Sequence, residues 1–140
     1  IVRSGGAPGA DNAFAAGARS YEAASAQLYL PWKDFEGWTW DTLSVARSDP
    51  QKEAFDIAAH YHPAWYRLSQ GSKKLHARNV HQILGHDVTQ PDLSKFVLCW
   101  TKNGGKSGGT AQAMRIAEDY KVPIINLGNP GVLGLFKDLV

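Results

Sequence analysis

Cysteine is almost absent from this chain of 140 residues, and the single one, Cys99, sits inside the apolar run "FVLCW". No disulfide framework can be built, and that setting reads as a buried strand residue, with a free catalytic thiol as the alternative. Long hydrophobic runs are missing too, so nothing approaches the length of a membrane span. Neither a leader nor a lipidation motif is visible, which leads to the expectation of a soluble cytoplasmic protein. Charge of one sign is scarce: 15 Lys and Arg stand against 13 Asp and Glu, a formal +2. That falls short of the excess a protein living on duplex DNA carries, so any anion site must be local. The histidines offer no i, i+4 pair, since His60 and His62 are two apart and His76, His81 and His86 five apart, and no metal site is expected. The chain opens at Ile1 without a methionine, as a truncated or processed product would.

What the chain has in quantity is glycine, 14 residues, much of it in two clusters. "SGGAPGADNAFAAGA" follows the apolar start Ile1-Val2, and "GGKSGGTAQAM" follows "KFVLCW". Each occupies the turn from a strand into a helix. The pattern predicts strands at 1–3, 26–32, 95–100 and 122–127. It places helices at 10–18, from Pro50 through "QKEAFDIAAHY", around "AWYRLSQ", over "KKLHARNVHQIL" closed by Gly85, at 110–120 and at 131–139. The strands at 95–100 and 122–127 read as buried on both faces, and 32–48 as a long aromatic loop. Strands alternating with helices in one domain-sized chain define an α/β class, a Rossmann-like doubly wound, mostly parallel sheet with helices on both faces.

In such a sheet the ligand crevice lies beyond the carboxyl ends of the strands, where both glycine clusters fall. Glycine lets a ligand approach the backbone, and the first N–H groups of a helix lack internal partners and favour an anion. Ser4, Gly5, Gly6, Gly9, Ala10 and Asp11 from the first cluster, with Ser107, Gly108, Gly109 and Thr110 from the second, are therefore candidate phosphate contacts. Asp11 suits either a ribose hydroxyl or the helix cap. The spacing fits neither a Walker loop nor a GxGxxG fingerprint, and the bland alternative is that the glycines serve only tight turns. Trp32 with Lys33 and Trp100 with Thr101 sit at strand ends where a base could stack, against core packing as the alternative. Arg78 and Asn79 lie on a helix before a strand, where an arginine could grip a phosphate in bidentate fashion or simply face solvent.

These residues also carry a resemblance. "RSGGAPGADNAFAAGA" and "SGGTAQAMRIAEDYKVPIINL" are similar to the two glycine motifs of the DNA-processing A (DprA/Smf) Rossmann domain. The wider SLOG superfamily, including the LOG nucleotide phosphoribohydrolases, is resembled as well. With "LPWKDFEG", "HPAW", "LSQGSKKLHARNVHQILG" and "FVLCWT", nearly the whole chain looks like DprA-like proteins of bacteriophages and prophages. Those proteins begin with a further strand-helix unit bearing a "GIGSR"-like loop; this sequence starts after the point where the resemblance would place it, and is expected to be a fragment. The LOG motif PGGxGTxxE supplies a catalytic glutamate; aligned through Gly109-Thr110, Ala113 stands in its place, while Arg78 matches the family's upstream arginine. The resemblance implies a nucleotide pocket without catalytic residues, metal or cofactor, in the bacterial cytoplasm. A phage protein of this kind would sequester an immune signalling nucleotide. Single-stranded nucleic-acid binding along Lys73, Lys74, Arg78, Lys102 and Lys106 is the alternative partner, cleavage of a nucleotide by Asp11 or Asp87 the third reading, and a homo-oligomer the expected assembly.

Overall fold

Residues 1–22, 25–38, 45–106 and 108–138 are described by a computed structural model. The first strand, β1 (Val2–Ser4), runs into α1 (Ala10–Tyr21), an alanine-rich helix with Asp11 in its first turn, where the helix dipole favours a carboxylate. Next come β2 (Ala26–Tyr29) and, beyond a short turn of 3-10 helix at Phe35–Gly37, β3 (Val45–Arg47). All three pair in parallel in the order β1-β2-β3, with Ser4 opposite Leu28 and a register irregularity between Leu28 and Tyr29 where β3 joins.

Three helices follow or flank the second half: α2 (Lys52–His60), α3 (Gln70–Leu84) and α4 (Gly108–Asp119). Between them β4 (Val97–Cys99) pairs in parallel with β5 (Ile124–Asn126), and α5 (Val132–Asp138) follows. The architecture is Rossmann-like α/β, its parallel strands divided into two small sheets.

Helix α3 starts where the Ser69 hydroxyl accepts the Ser72 N–H at 3.1 Å, and stops at Gly85, whose φ of 93° a residue with a Cβ would resist. Its apolar positions Ala77, Val80 and Leu84 return at helical spacing and meet Ala54 and Ala58 of α2 and Ile116 and Ala117 of α4 in one buried cluster. The small alanines allow close helix contact. A second cluster of Ala15, Ala26, Leu28, Leu30 and Phe35 lies under α1, with Leu75 of α3 packed against it, so α3 serves both.

Several boundaries depart from expectation. The loop predicted over 32–48 contains β3, whose three residues show no alternation and form a strand because β2 offers them a partner. Helix α2 begins at Lys52 with Gln51 as its cap, two residues after Pro50, and "AWYRLSQ" yields a single 3-10 turn at Trp65–Arg67 before α3. The run at 95–100 is not covered on both faces. Phe96 and Trp100, on either side of β4, are 50% and 58% exposed, and within β4 Val97 and Leu98 are only half-buried. In β5, Ile124 and Ile125 are half-buried and Asn126 is buried. Cys99 is buried as expected, and Trp40 lies outside the described residues.

Candidate functional site

The glycine turn after β1 is tightly organised by its own chain. The Ser4 hydroxyl donates to Asp11 O at 3.0 Å and accepts the Gly6 N–H at 3.4 Å, while Asp11 Oδ2 accepts the Ala7 N–H at 3.3 Å. A carboxylate of the protein thus already occupies part of the anion position that the turn creates. Trp38 covers Gly6 from outside, its indole N–H donating to Gly6 O at 3.0 Å and the Arg19 guanidinium lying over its ring at 5.0 Å. Gly9 and Ala10 remain exposed.

From α3, Arg78 reaches into this turn and donates through Nη1 to Gly5 O and, at 3.5 Å, to Tyr29 O. Only 6% of it is exposed, and its guanidinium lies over Phe35 with Cζ 5.7 Å from the ring centre. Gly5 is needed for this approach: a Cβ there would come within 2.6 Å of Arg78 Cζ and 2.8 Å of Asp11 Oδ2. Burial pushes the guanidinium below its ordinary pKa, partly opposed by the Asp11 carboxylate. Among the described residues the ion pairs are Arg3–Asp92 and Lys106–Glu118, and Arg78 enters neither.

Arg78 Nε donates to Asn79 Oδ1 at 3.0 Å, and Asn79 Nδ2 in turn reaches Gly109 O at 3.4 Å and Gln112 Oε1 at 3.5 Å. The two glycine turns therefore meet on opposite sides of one Arg78–Asn79 pair. Gln112 is fully buried, with its amide N–H donating to Ala58 O at 3.2 Å, which aims Oε1 at Asn79 and at His76 Nδ1, 3.1 Å away. Accepting that bond fixes the proton on His76 Nδ1 and leaves Nε2 as a lone pair. Gly108 and Gly109 are exposed at the start of α4 and Thr110 is half-buried, while Ser107 lies outside the described residues.

The remaining predicted residues are placed apart. Trp32 and Lys33 are exposed at the end of β2, with Trp32 edge-to-face against Phe35 at 5.2 Å. Thr101 is buried as a tie between β4 and β5: its N–H donates to Asn126 Oδ1 at 3.1 Å and its hydroxyl accepts from Asn126 Nδ2 at 2.6 Å. Trp100 beside it is exposed. Of the residues considered for a basic stripe, Lys74, Lys102 and Lys106 are exposed, Lys106 in an ion pair with Glu118, Lys73 lies over Trp65 at 5.7 Å, and Arg78 is buried. Gln112 escaped the sequence reading, although a lone amide among Ala111, Met114, Ile116 and Ala117 is its signal.

Fold and site together define a Rossmann-like α/β protein whose two strand-to-helix glycine turns are linked through adjacent residues of α3, Arg78 at Gly5 and Asn79 at Gly109. No family model, curated protein or solved structure matches the chain. No helix among the described residues is long and apolar enough to cross a membrane.

Proposed function

We propose that the protein binds a nucleotide or nucleotide-derived ligand through its phosphate, held between the first turn of α4 and the Arg78–Asn79 pair. The observation that carries this reading is the buried guanidinium that, among the described residues, forms no ion pair although Asp11 lies nearby, beside the first glycine turn and joined through Asn79 to the second. A buried charge is costly unless paired, and an incoming phosphate would supply the partner. Because Asp11 and Ser4 already serve the N–H groups of the β1 turn, the phosphate belongs on the α4 side, and the β1 turn acts as the pocket wall that aims Arg78. Ala113, half-buried on α4, carries no group that could move a proton. The reading is therefore of a binder, and with the resemblance to phage DprA-like proteins of the SLOG superfamily, of a sponge for an immune signalling nucleotide in the bacterial cytoplasm.

Calorimetry against linear and cyclic ADP-ribose and dinucleotides tests this. Binding is expected, with Arg78→Ala weakening it about 10- to 100-fold, the value of a charge-assisted hydrogen bond. Absence of binding across the panel overturns the reading. Oligo(dT) binding that falls steeply between two salt concentrations would replace it with single-stranded nucleic-acid recognition, and release of free base would replace it with hydrolysis.

A further inference from the structure

An open groove lies beside the Arg78 pocket at the carboxyl ends of β2 and β3, and its lining includes Trp32, Lys33, Asp49, Pro50, Phe55 and Lys74. Three features set it apart from an ordinary surface hollow. It has a large flat ring, since Trp32 stands 38% exposed. It has two ammonium groups, Lys33 and Lys74, against the one carboxylate of Asp49. It is also joined to Arg78 by direct packing: Phe35 lies under the Arg78 guanidinium at 5.7 Å and meets Trp32 edge-to-face at 5.2 Å, so one ring separates the two sites. Lys74 stands four residues before Arg78 on α3, hence on the same helix face one turn away.

We propose that this groove is a nucleobase subsite. The base stacks on Trp32, Lys33 and Lys74 neutralise the phosphates that lead to it from Arg78, and Asp49 accepts a hydrogen bond from a sugar hydroxyl or an exocyclic amine. The inference rests on the phosphate reading of the Arg78 pocket and adds to it the class of ligand: one carrying a purine or pyrimidine one phosphate bridge away from the glycine turns.

Pyrophosphate and ADP, titrated into the intact chain, separate the two ideas, because they differ by the nucleoside alone. ADP is expected to bind more tightly than pyrophosphate and to quench tryptophan fluorescence. Trp32→Ala should weaken ADP about 5- to 150-fold, the range for loss of one stacked base, and leave pyrophosphate unchanged. Trp32→Phe keeps a stacking face, so it should retain most of the ADP affinity while losing the quench, which guards against a misfolded alanine variant. Equal affinity for the two ligands, or ADP binding indifferent to both substitutions, overturns the groove and leaves the phosphate pocket standing. Failure of the wild-type chain to bind either ligand overturns both.

Discussion

At position 78 the chain places a guanidinium on a helix whose neighbours Ala77 and Val80 are fully buried, and that single choice braces the glycine turn after β1. Its partners are carbonyls and an amide, so its charge is solvated by dipoles rather than by an ion pair. The approach depends on Gly5 having no Cβ. Gly5→Ala is expected to push Arg78 off the Gly5 carbonyl, destabilising the fold by about 1–3 kcal/mol in urea unfolding and lowering phosphate affinity in parallel. Unchanged stability with unchanged affinity would show that the arginine does not need this seat. At this scale the two glycine turns were legible, because glycine clustered before a helix is unusual for packing alone; that Arg78 lies buried was not, since a solvent-facing arginine would leave the same pattern on its helix. That Ser4 and Asp11 would serve the first turn's own N–H groups was not, since either side chain could equally have faced a ligand. Only the backbone path, which closes the turn onto α1, decides between them.

Helix α3 shows the same division at the scale of an element. Its length, its serine cap and its glycine stop follow from local chemistry, and the sequence pattern places it within a few residues. Its use as the strut between both core clusters depends on which helices come to lie beside it. One consequence is a pH dependence. His81 is 1% exposed, accepts the Gln51 N–H on Nε2 at 3.0 Å and donates from Nδ1 to Gly85 O at 2.9 Å, so it ties the start of α2 to the end of α3 as a neutral ring. Burial lowers its pKa below the ordinary imidazole value, against the opposing bond to Gly85; His76 is lowered by burial in the same way. The unfolded chain then takes up these protons first as pH falls. Their contribution is complete above about pH 6.5 and is lost progressively below it, as pH drops through the depressed folded values. Urea midpoints at pH 7.5 and 5.0 should show lower stability at the acidic value. In His81→Gln, which carries no titrating ring, the difference should shrink; an unaltered difference would assign the effect elsewhere. Strand β3 marks the limit of local reading: its three residues carry no alternation and are fixed as a strand by pairing with β2. By contrast β4 was legible as a strand, but the exposure of the flanking Phe96 and Trp100 was not, since it depends on which elements pack over them.

Over the whole molecule, two small sheets must behave as one body for the two glycine turns to stay in register. Packing of α3 against both clusters supplies most of that coupling, and Arg3 supplies a second link. From β1 it donates to Asp92 O at 2.6 Å and Ser94 Oγ at 3.1 Å, and pairs with Asp92 Oδ2 at 2.8 Å, on the segment that leads into β4. The ion pair itself contributes little, because the Asp92 side chain is 85% exposed and water screens it. The hydrogen bond to the Ser94 hydroxyl is partly buried, and both neutral acceptors are held by an arginine whose side chain is only 15% exposed. Asp92→Asn should therefore change stability by less than about 1 kcal/mol. Arg3→Met, which removes all three contacts, should cost more, about 1–3 kcal/mol, while unfolding stays a single transition because α3 still bridges the halves. Hydrogen exchange would locate the loss: the segment before β4 should open more readily in Arg3→Met while α3 keeps its protection. Equal costs for the two substitutions would transfer the coupling to the ion pair, and two separate transitions would mean that α3 alone does not hold the sheets together.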